Sequence, residues 1–439
     1  MESIPFQEYS NVVNSTNTIN RAGIVRETRG LLIESRGPQA SVGEICRIDL
    51  GDRKQVMAEV IGFSDRHLLL MPLDDLEGIA PGMRVTATGN AFMVKVGPGL
   101  LGRVIDGFGM PIDGKGPIET TGERPLSGEK LNPLTRNRIE TPLWTQVRAI
   151  DGAITVGKGQ RMGIFAGSGV GKSVLMGMIA KKVVADVNVI ALIGERGREV
   201  REFLENDLGE EGLKRSVVVV VTSDMPAILR LQGTKLALSV SEYFRGLGQD
   251  VVLMLDSITR VAMAQREIGL SAGEPPTTKG YTPSVLALMP KILERAGSSD
   301  KGTITGIYTV LVEGDDTNEP VADMVRSIID GHIVLSRKLA NRGHYPAIDI
   351  LQSISRVQKD IIDVNHKQLV SGLVEMYANY IESEDLINIG AYAKGSNPRI
   401  DRAINRIDAI NEFLKQDIDE ASLPEETMNR LRAAVGGAG

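Results

Sequence analysis

The chain has 439 residues, 42% of them hydrophobic, and its 56 Asp and Glu outweigh 50 Lys and Arg for a formal charge of -6. That length divides into roughly two to four core-forming units, and the acidic balance leaves no global positive field to hold nucleic acid by counterion release. A lone cysteine, Cys46, excludes an internal disulfide, suits a reducing compartment and reads as a small buried hydrophobe.

In chain order, the opening M-E-S-I-P-F-Q-E-Y-S has neither a basic leader nor an apolar h-region, so no secretion signal is expected. Residues 1–22 are taken as an N-terminal segment, with Ile4, Phe6 and Tyr9 among polar neighbours. It reads as a disordered end, the commoner fate of termini. Short β-rich runs at 30–33, 43–48, 56–61 and 67–71, broken by glycines, predict a small barrel or sandwich over 23–92. The glycine- and proline-dense stretch 97–117 reads as a connection of tight turns near a boundary.

From about 148 to 358, continuous apolar runs at 162–165, 189–193, 217–221, 251–255 and 304–312 alternate with helical segments. Runs without polar alternation imply a sheet covered on both faces, hence a parallel α/β domain, placed at 93–360. Beyond 359 no strand is expected. Leu369, Leu373, Met376 and Tyr380, then Ile404, Ile407, Ile410 and Leu414, recur at helical spacing and predict a helical domain over 361–439. The apolar runs are too short to cross a bilayer, so a cytosolic protein with at most peripheral membrane contact is expected. His67, His332, His344 and His366 lack paired metal-ligand spacing and read as structural.

Residues 166–173, A-G-S-G-V-G-K-S, follow one of these apolar runs and open a helical segment. They fit the phosphate-cradling pattern except that Ala166 replaces its first glycine. The loop's backbone N–H groups must converge on phosphates, a demand that falls on Gly167, Gly169 and Gly171 with Ser168 and Val170 between them, so alanine is tolerable at the strand end. Lys172 is then placed to reach the outer phosphates and Ser173 to ligate Mg²⁺, while the first helical turn, with Val174, aims its positive end at the anion.

Hydrolysis also needs a metal-holding acid, a group that orients water, and positive charge. Asp256 ends the run 251–255 and can hold the water shell of Mg²⁺ beside Ser173. A strand-ending Asp is also a common helix cap, but with the cradle present the ligand reading is favoured. Glu195, just after the run 189–193, sits at the carboxyl end of a neighbouring strand and can face the same crevice. The adjacent Arg196 is taken with it as a catalytic candidate.

These residues resemble a known family. The cradle, G-E-R-G-R-E at 194–199, L-D-S-I-T-R at 255–260 and P-A-I-D-I-L-Q-S-I-S-R at 346–356 are similar to the catalytic subunits of rotary ATPases. L-L-G-R-V-I-D, V-R-A-I-D-G, A-M-A-Q-R-E-I-G, G-E-P-P-T-T-K-G-Y-T-P-S-V and V-E-G-D-D resemble its type III export branch, and L-M-P-L-D-D-L-E-G-I the flagellar members of that branch. The resemblance spans about 22–415.

It implies a β-barrel N-domain, a RecA-like P-loop ATPase core and a helical C-domain in a homohexameric ring that uses ATP and Mg²⁺ to promote export of flagellar proteins. Arg356 is then an arginine finger reaching the neighbouring subunit's nucleotide, Tyr345 stacks on adenine, and Tyr392 is either the opposite wall or a core residue. Implied partners are a stator-like regulator, for which the N-terminal segment is then an anchor, a central stalk protein, export-gate membrane proteins and chaperone–substrate complexes, at the inner face of the cell membrane, with no nucleic acid. The alternatives are a virulence secretion ATPase, with identical chemistry, and a non-catalytic ring subunit; the family's non-catalytic subunits lack a carboxylate where this chain has Glu195. A ring-shaped RNA translocase is disfavoured by the acidic balance.

Overall fold

The computed structural model describes residues 22–436 except 52–53, 130 and 313–318, together with Ser10. The N-terminal segment with Ile4, Phe6 and Tyr9, and residues 313–316 of the V-E-G-D-D stretch, lie outside the described residues. Two compact units divide the chain, one of residues 1–93 with 270–273, the other of 94–269 with 274–439.

The first unit is a closed barrel of six strands: β1 Ala22–Arg29, β2 Leu32–Arg36, β3 Glu44–Gly51, β4 Lys54–Ser64, β5 His67–Pro72 and β6 Arg84–Ala91, in the order β1-β2-β5-β4-β3-β6. Pairing of β1 with β6 closes it and resolves barrel against sandwich, since closure leaves no open edge. Val25, Ile33, Cys46, Ile48, Val60, Leu70 and Val85 fill its interior. Cys46 is fully buried as expected, and burial pushes its thiol up to about 12. Two strands escape the sequence pattern: β1, A-G-I-V-R-E-T-R, and β6, R-V-T-A-T-G-N-A, carry few apolar residues. The run predicted at 30–33 begins instead as a turn at Gly30 and Leu31, with Gly30 at φ 59°, and becomes strand at Leu32.

The second unit is built on a nine-stranded sheet. Its strands are β7 Arg103–Ile105, β8 Arg161–Ala166, β9 Val187–Ile193, β10 Ser216–Val221, β11 Asp250–Asp256, β12 Thr303–Leu311, β13 Gly331–Leu335 and β14 Ile348–Ser355, with Gly297–Ser298 attached to β12. The order is β14-β13-β8-β12-β11-β9-β10-β7. All five predicted central strands form, and every residue of β9 and β10 is buried, as continuous apolar runs require. β7 to β13 run parallel, but β14 returns antiparallel at the edge, where its residues are partly exposed and its sequence lacks an apolar run. The stretch 97–117 is not turns alone: β7 lies within it and pairs with β10. There Arg103 forks onto Asp113 through Nε at 2.7 Å and Nη2 at 2.9 Å, which holds the short edge strand.

Three long helices end the chain: α6 Val364–Asn388, α7 Pro398–Leu414 and α8 Pro424–Val435, numbered after α1 Arg148–Ala153, α2 Lys172–Lys182, α3 Gly197–Glu202, α4 Ala227–Gly246 and α5 Ile258–Ser271. Asp363 caps α6 by accepting from His366 N–H, and Asn397 caps α7 by accepting from Arg399 N–H. Leu373, Met376, Ile407, Ile410 and Leu414 are buried as their spacing predicts, and they share one continuous core with the sheet's residues. Within it, α1 is buried along its whole length, and a Cβ added at Gly152 would lie 2.5 Å from the buried Phe413 ring. Gly152→Ala is therefore expected to destabilise the chain by about 1–3 kcal/mol through overpacking. Urea denaturation of the variant checks this; an unchanged midpoint would show that α7 yields at no cost.

Candidate active site

The sheet's carboxyl edge gathers the predicted chemistry. β8, β12, β11 and β9 are parallel neighbours, so the loops leaving them open on one side. β8 ends at Ala166, which is fully buried and paired with Leu311 and Leu335, so an alanine at that strand end meets no conformational demand. The loop then turns through left-handed residues at Gly169, φ 75°, and Gly171, φ 93°, and α2 starts at Lys172. Gly167 does not share that conformation, so the expected demand falls on two glycines rather than three. Val170, within the loop, is buried. The result is a cavity of about 590 Å³ at the start of α2, within the roughly 300–1,000 Å³ of small-molecule sites.

Two carboxylates and one ammonium meet there. Lys172 Nζ contacts Asp256 Oδ1 and lies 3.6 Å from Glu195 Oε1. Thr309, on β12, donates its hydroxyl to Asp256 Oδ1 at 2.6 Å and fixes that carboxylate's rotamer. Glu195 is 9% exposed, and its Oε1 is buried without a hydrogen-bond partner among the described residues. Burial pushes its carboxyl up to about 7, with the Asp256 charge adding to the rise and Lys172 and Arg260 opposing it.

The cavity is lined by Gly167, Ser168, Gly169, Gly171, Lys172, Ser173 and Val174 and by Glu195, Arg196 and Asp256. Arg196 precedes α3 at the mouth, largely exposed and 3.3 Å from Glu199. Tyr345 does not itself line the cavity but lies against the loop: a Cβ on Gly171 would sit 3.6 Å from its ring. Arg356 does not line this cavity. It is exposed at the end of β14, with Nη2 donating to Arg326 O at 3.2 Å. Tyr392 does not line it either; its hydroxyl is held by Asn397 O at 3.0 Å and Asp401 Oδ1 at 3.1 Å, in the turn before α7.

Two residues were not anticipated. Arg260, in the first turn of α5, lines the cavity, and its Nε is buried without a partner among the described residues. Its position four residues after Asp256 was the available signal. Thr309 lies inside a fully apolar strand reading and offered none.

An orphaned acceptor on Glu195 and an orphaned donor on Arg260 thus face one cavity at the start of α2. Asp256 and Ser173, which also line it, carry oxygen atoms of the hard kind that Mg²⁺ prefers.

Residues 146–355 match the ATP synthase alpha/beta family, nucleotide-binding domain, residues 25–89 match that family's beta-barrel domain, and residues 362–433 match the T3SS EscN ATPase C-terminal domain. The flagellum-specific ATP synthase of Bacillus subtilis is 55% identical over 434 residues, 98% of this chain and 99% of that protein. The type 3 secretion system ATPase of Sinorhizobium fredii is 50% identical over 413 residues, covering 93% and 92%. Among solved structures, the assembled ATPase EscN from enteropathogenic E. coli superposes with a TM-score of 0.90 at 44% identity, covering 94% of this chain and 100% of that one. The same ATPase in complex with its central stalk EscO gives 0.88 at 43%.

The buried Glu195 has a consequence for stability. Its folded-state value near 7 exceeds the ordinary 4.5, so the fold favours the neutral carboxyl, and that preference is lost as pH rises through about 7. Glu195→Gln keeps the neutral form at every pH. Its stability should match the parent's at about pH 4, gain on it as pH rises from 4.5 to about 7, and exceed it by roughly 1–3 kcal/mol above that. Thermal melts of nucleotide-free protein across pH test this, and a difference that does not grow with pH counts against a buried, high-titrating carboxyl.

Proposed function

Because this chain belongs to the ATP synthase alpha/beta family, in the branch of the flagellar and type III secretion ATPases, we propose that it hydrolyses ATP in an Mg²⁺-dependent reaction that promotes export of flagellar proteins. The observation that carries the reading is the convergence of Lys172, Asp256 and Glu195, whose Oε1 is buried without a hydrogen-bond partner among the described residues, on one cavity at the start of α2.

The loop N–H groups from Gly167 to Lys172 bind the phosphates, and the Lys172 ammonium offsets charge on the outer ones. Ser173 and Asp256 would hold Mg²⁺, which when bound neutralises phosphate charge. Glu195 orients the attacking water and takes its proton as the bond from the terminal phosphorus to the leaving diphosphate oxygen breaks. A base titrating near 7 is matched to neutral pH. Arg260 and Arg196 supply positive charge from within the chain. Tyr345 packs on the adenine; Tyr392 is assigned to the turn before α7, where its hydroxyl is spent.

Arg356, outside its own cavity, is assigned to the neighbouring subunit's nucleotide, so the working form is a homohexameric ring around a central stalk protein. The solved structures of EscN, assembled and in complex with its central stalk, support this. Working modules at 23–92, 93–360 and 361–439, a stator-like regulator, export-gate proteins, chaperone–substrate complexes and a peripheral place at the cytoplasmic membrane face complete the proposal. Among the described residues no helix is long and apolar enough to cross a membrane. A non-catalytic subunit would have no use for a desolvated carboxylate beside the phosphates.

Glu195→Gln is expected to bind ATP like the parent and lose about 10²–10⁴-fold in turnover. Arg356→Ala should keep ATP binding but lose about 10³-fold or more of the activity that appears as rings form. Phosphate release measured against protein concentration reads both, and parental turnover by Glu195→Gln would refute the assignment of the base. Loss of motility on deletion assigns the cargo as flagellar; retained motility with a lost virulence secretion reverses it.

A further inference from the structure

The segment leaving α7 is knotted to the nucleotide-binding core around one buried amide. Gln416 is 6% exposed and every polar atom of its side chain is used. Its Oε1 accepts from Arg148 N–H at 2.8 Å, and its Nε2 donates to Gln146 O at 2.8 Å and Glu420 O at 2.7 Å. The opposite amide orientation would set Oε1 against two carbonyls, so the pattern admits one orientation.

The surroundings are built to receive that amide. Gln146 holds φ 61°, a left-handed conformation that costs a non-glycine residue. Its own N–H donates to the buried Asp151 at 2.7 Å. Arg148, also buried, binds Phe413 O through Nε at 3.1 Å and contacts Glu420 and Lys415 O through its other nitrogens. From the far end of α2, Lys182 Nζ reaches Glu420 O at 2.5 Å and Ile418 O as well.

What the knot holds is the backbone of Tyr345. Gln416 N–H donates to Tyr345 O at 3.0 Å. A second tie brackets the same stretch, where Arg342 forks onto Glu384 of α6 at 2.6 and 3.1 Å. Tyr345 is 48% exposed, and among the described residues no hydrogen bond holds its hydroxyl. The placement of its ring against Gly171 therefore depends on its backbone and on packing alone.

We propose that Gln416 is a positioning residue for nucleotide binding: it fixes the segment after α7 so that its N–H holds Tyr345 where the ring meets the base. This rests on the reading that Tyr345 stacks on adenine. A residue acting through the base wall changes affinity for a ligand with a base and leaves affinity for bare phosphates alone. Mere structural glue changes the amount of active enzyme, hence apparent kcat, and leaves KM where it was.

The test compares Gln416→Ala, Tyr345→Ala and Lys182→Met as full-length chains, by steady-state ATP hydrolysis and by competitive inhibition with inorganic tripolyphosphate. Tyr345→Ala is expected to raise the KM for ATP by about tenfold and Gln416→Ala by about fivefold, in line with loss or misplacement of one base–aromatic stack. The tripolyphosphate inhibition constant stays at the parent's value in both. If Tyr345→Ala leaves KM unchanged, the stacking reading fails by itself and the proposal with it. If Tyr345→Ala raises KM and Gln416→Ala lowers only kcat, stacking stands and the positioning role is overturned. Should Gln416→Ala not fold, Lys182→Met loosens the same segment from its partly exposed side. A raised KM for ATP with unchanged tripolyphosphate inhibition then supports the proposal, and an unchanged KM overturns it.

Discussion

Lys172, Asp256 and Glu195 set two potential negative charges against one nearby ammonium in a place largely closed to water. In such surroundings charges interact strongly, and an uncompensated one is costly. Lys172 rests on Asp256, whose second support is the Thr309 hydroxyl. Glu195 shares that ammonium, and its carboxyl titrates high because burial disfavours its charge, with the Asp256 charge adding to the rise and Lys172 and Arg260 only partly opposing it. This imbalance is tolerable because the side chains come from strand ends and a helix start locked in a sheet buried on both faces. A looser scaffold would let Glu195 swing into water and recover its ordinary affinity for protons.

The same burial made the core legible. Strands β8 to β12 need no polar alternation because helices cover both faces, so they stand out as apolar runs, and Glu195 and Asp256 follow from where two of those runs stop. Legibility fails where burial is partial. β1 and β6 close the barrel with mostly polar residues, because their outward faces meet solvent and closure depends on backbone pairing. β14 is a half-exposed edge whose antiparallel return leaves no periodic trace. β7 hides in a glycine-rich stretch because three residues and one Arg–Asp fork suffice to attach it. Gly167 shows the limit of composition: a glycine in a cradle need not use glycine's conformational freedom.

Arg356 marks a different limit. Within its own chain its guanidinium meets the Arg326 carbonyl and its N–H the Asp330 carbonyl, contacts any edge arginine could make. Neither its spacing nor its burial sets it apart, because the surface it is proposed to serve belongs to another copy. Resemblance supplied that role where physical reading of one chain could not, and Tyr392 shows the converse: proximity in a motif gave two readings, and its hydroxyl bonds favour the bland one.

The C-terminal helices are more than a cover for the sheet's lower-priority edges. Helix α2 has 11 residues, so about 16 Å separates its ends, and both ends are engaged: Lys172 in the charge cluster, Lys182 on the carbonyls of the segment that follows α7. That segment also carries Gln416, bonded to Tyr345 beside Gly171. The phosphate end and the proposed base end of one ligand site are thus tethered to a single short stretch of chain. A rigid helix cannot absorb a shift of that stretch internally, so displacement there must appear at Lys172, at Tyr345, or at both. The helical region is therefore joined to both ends of the proposed site by named hydrogen bonds, those of Lys182 at one end and of Gln416 at the other.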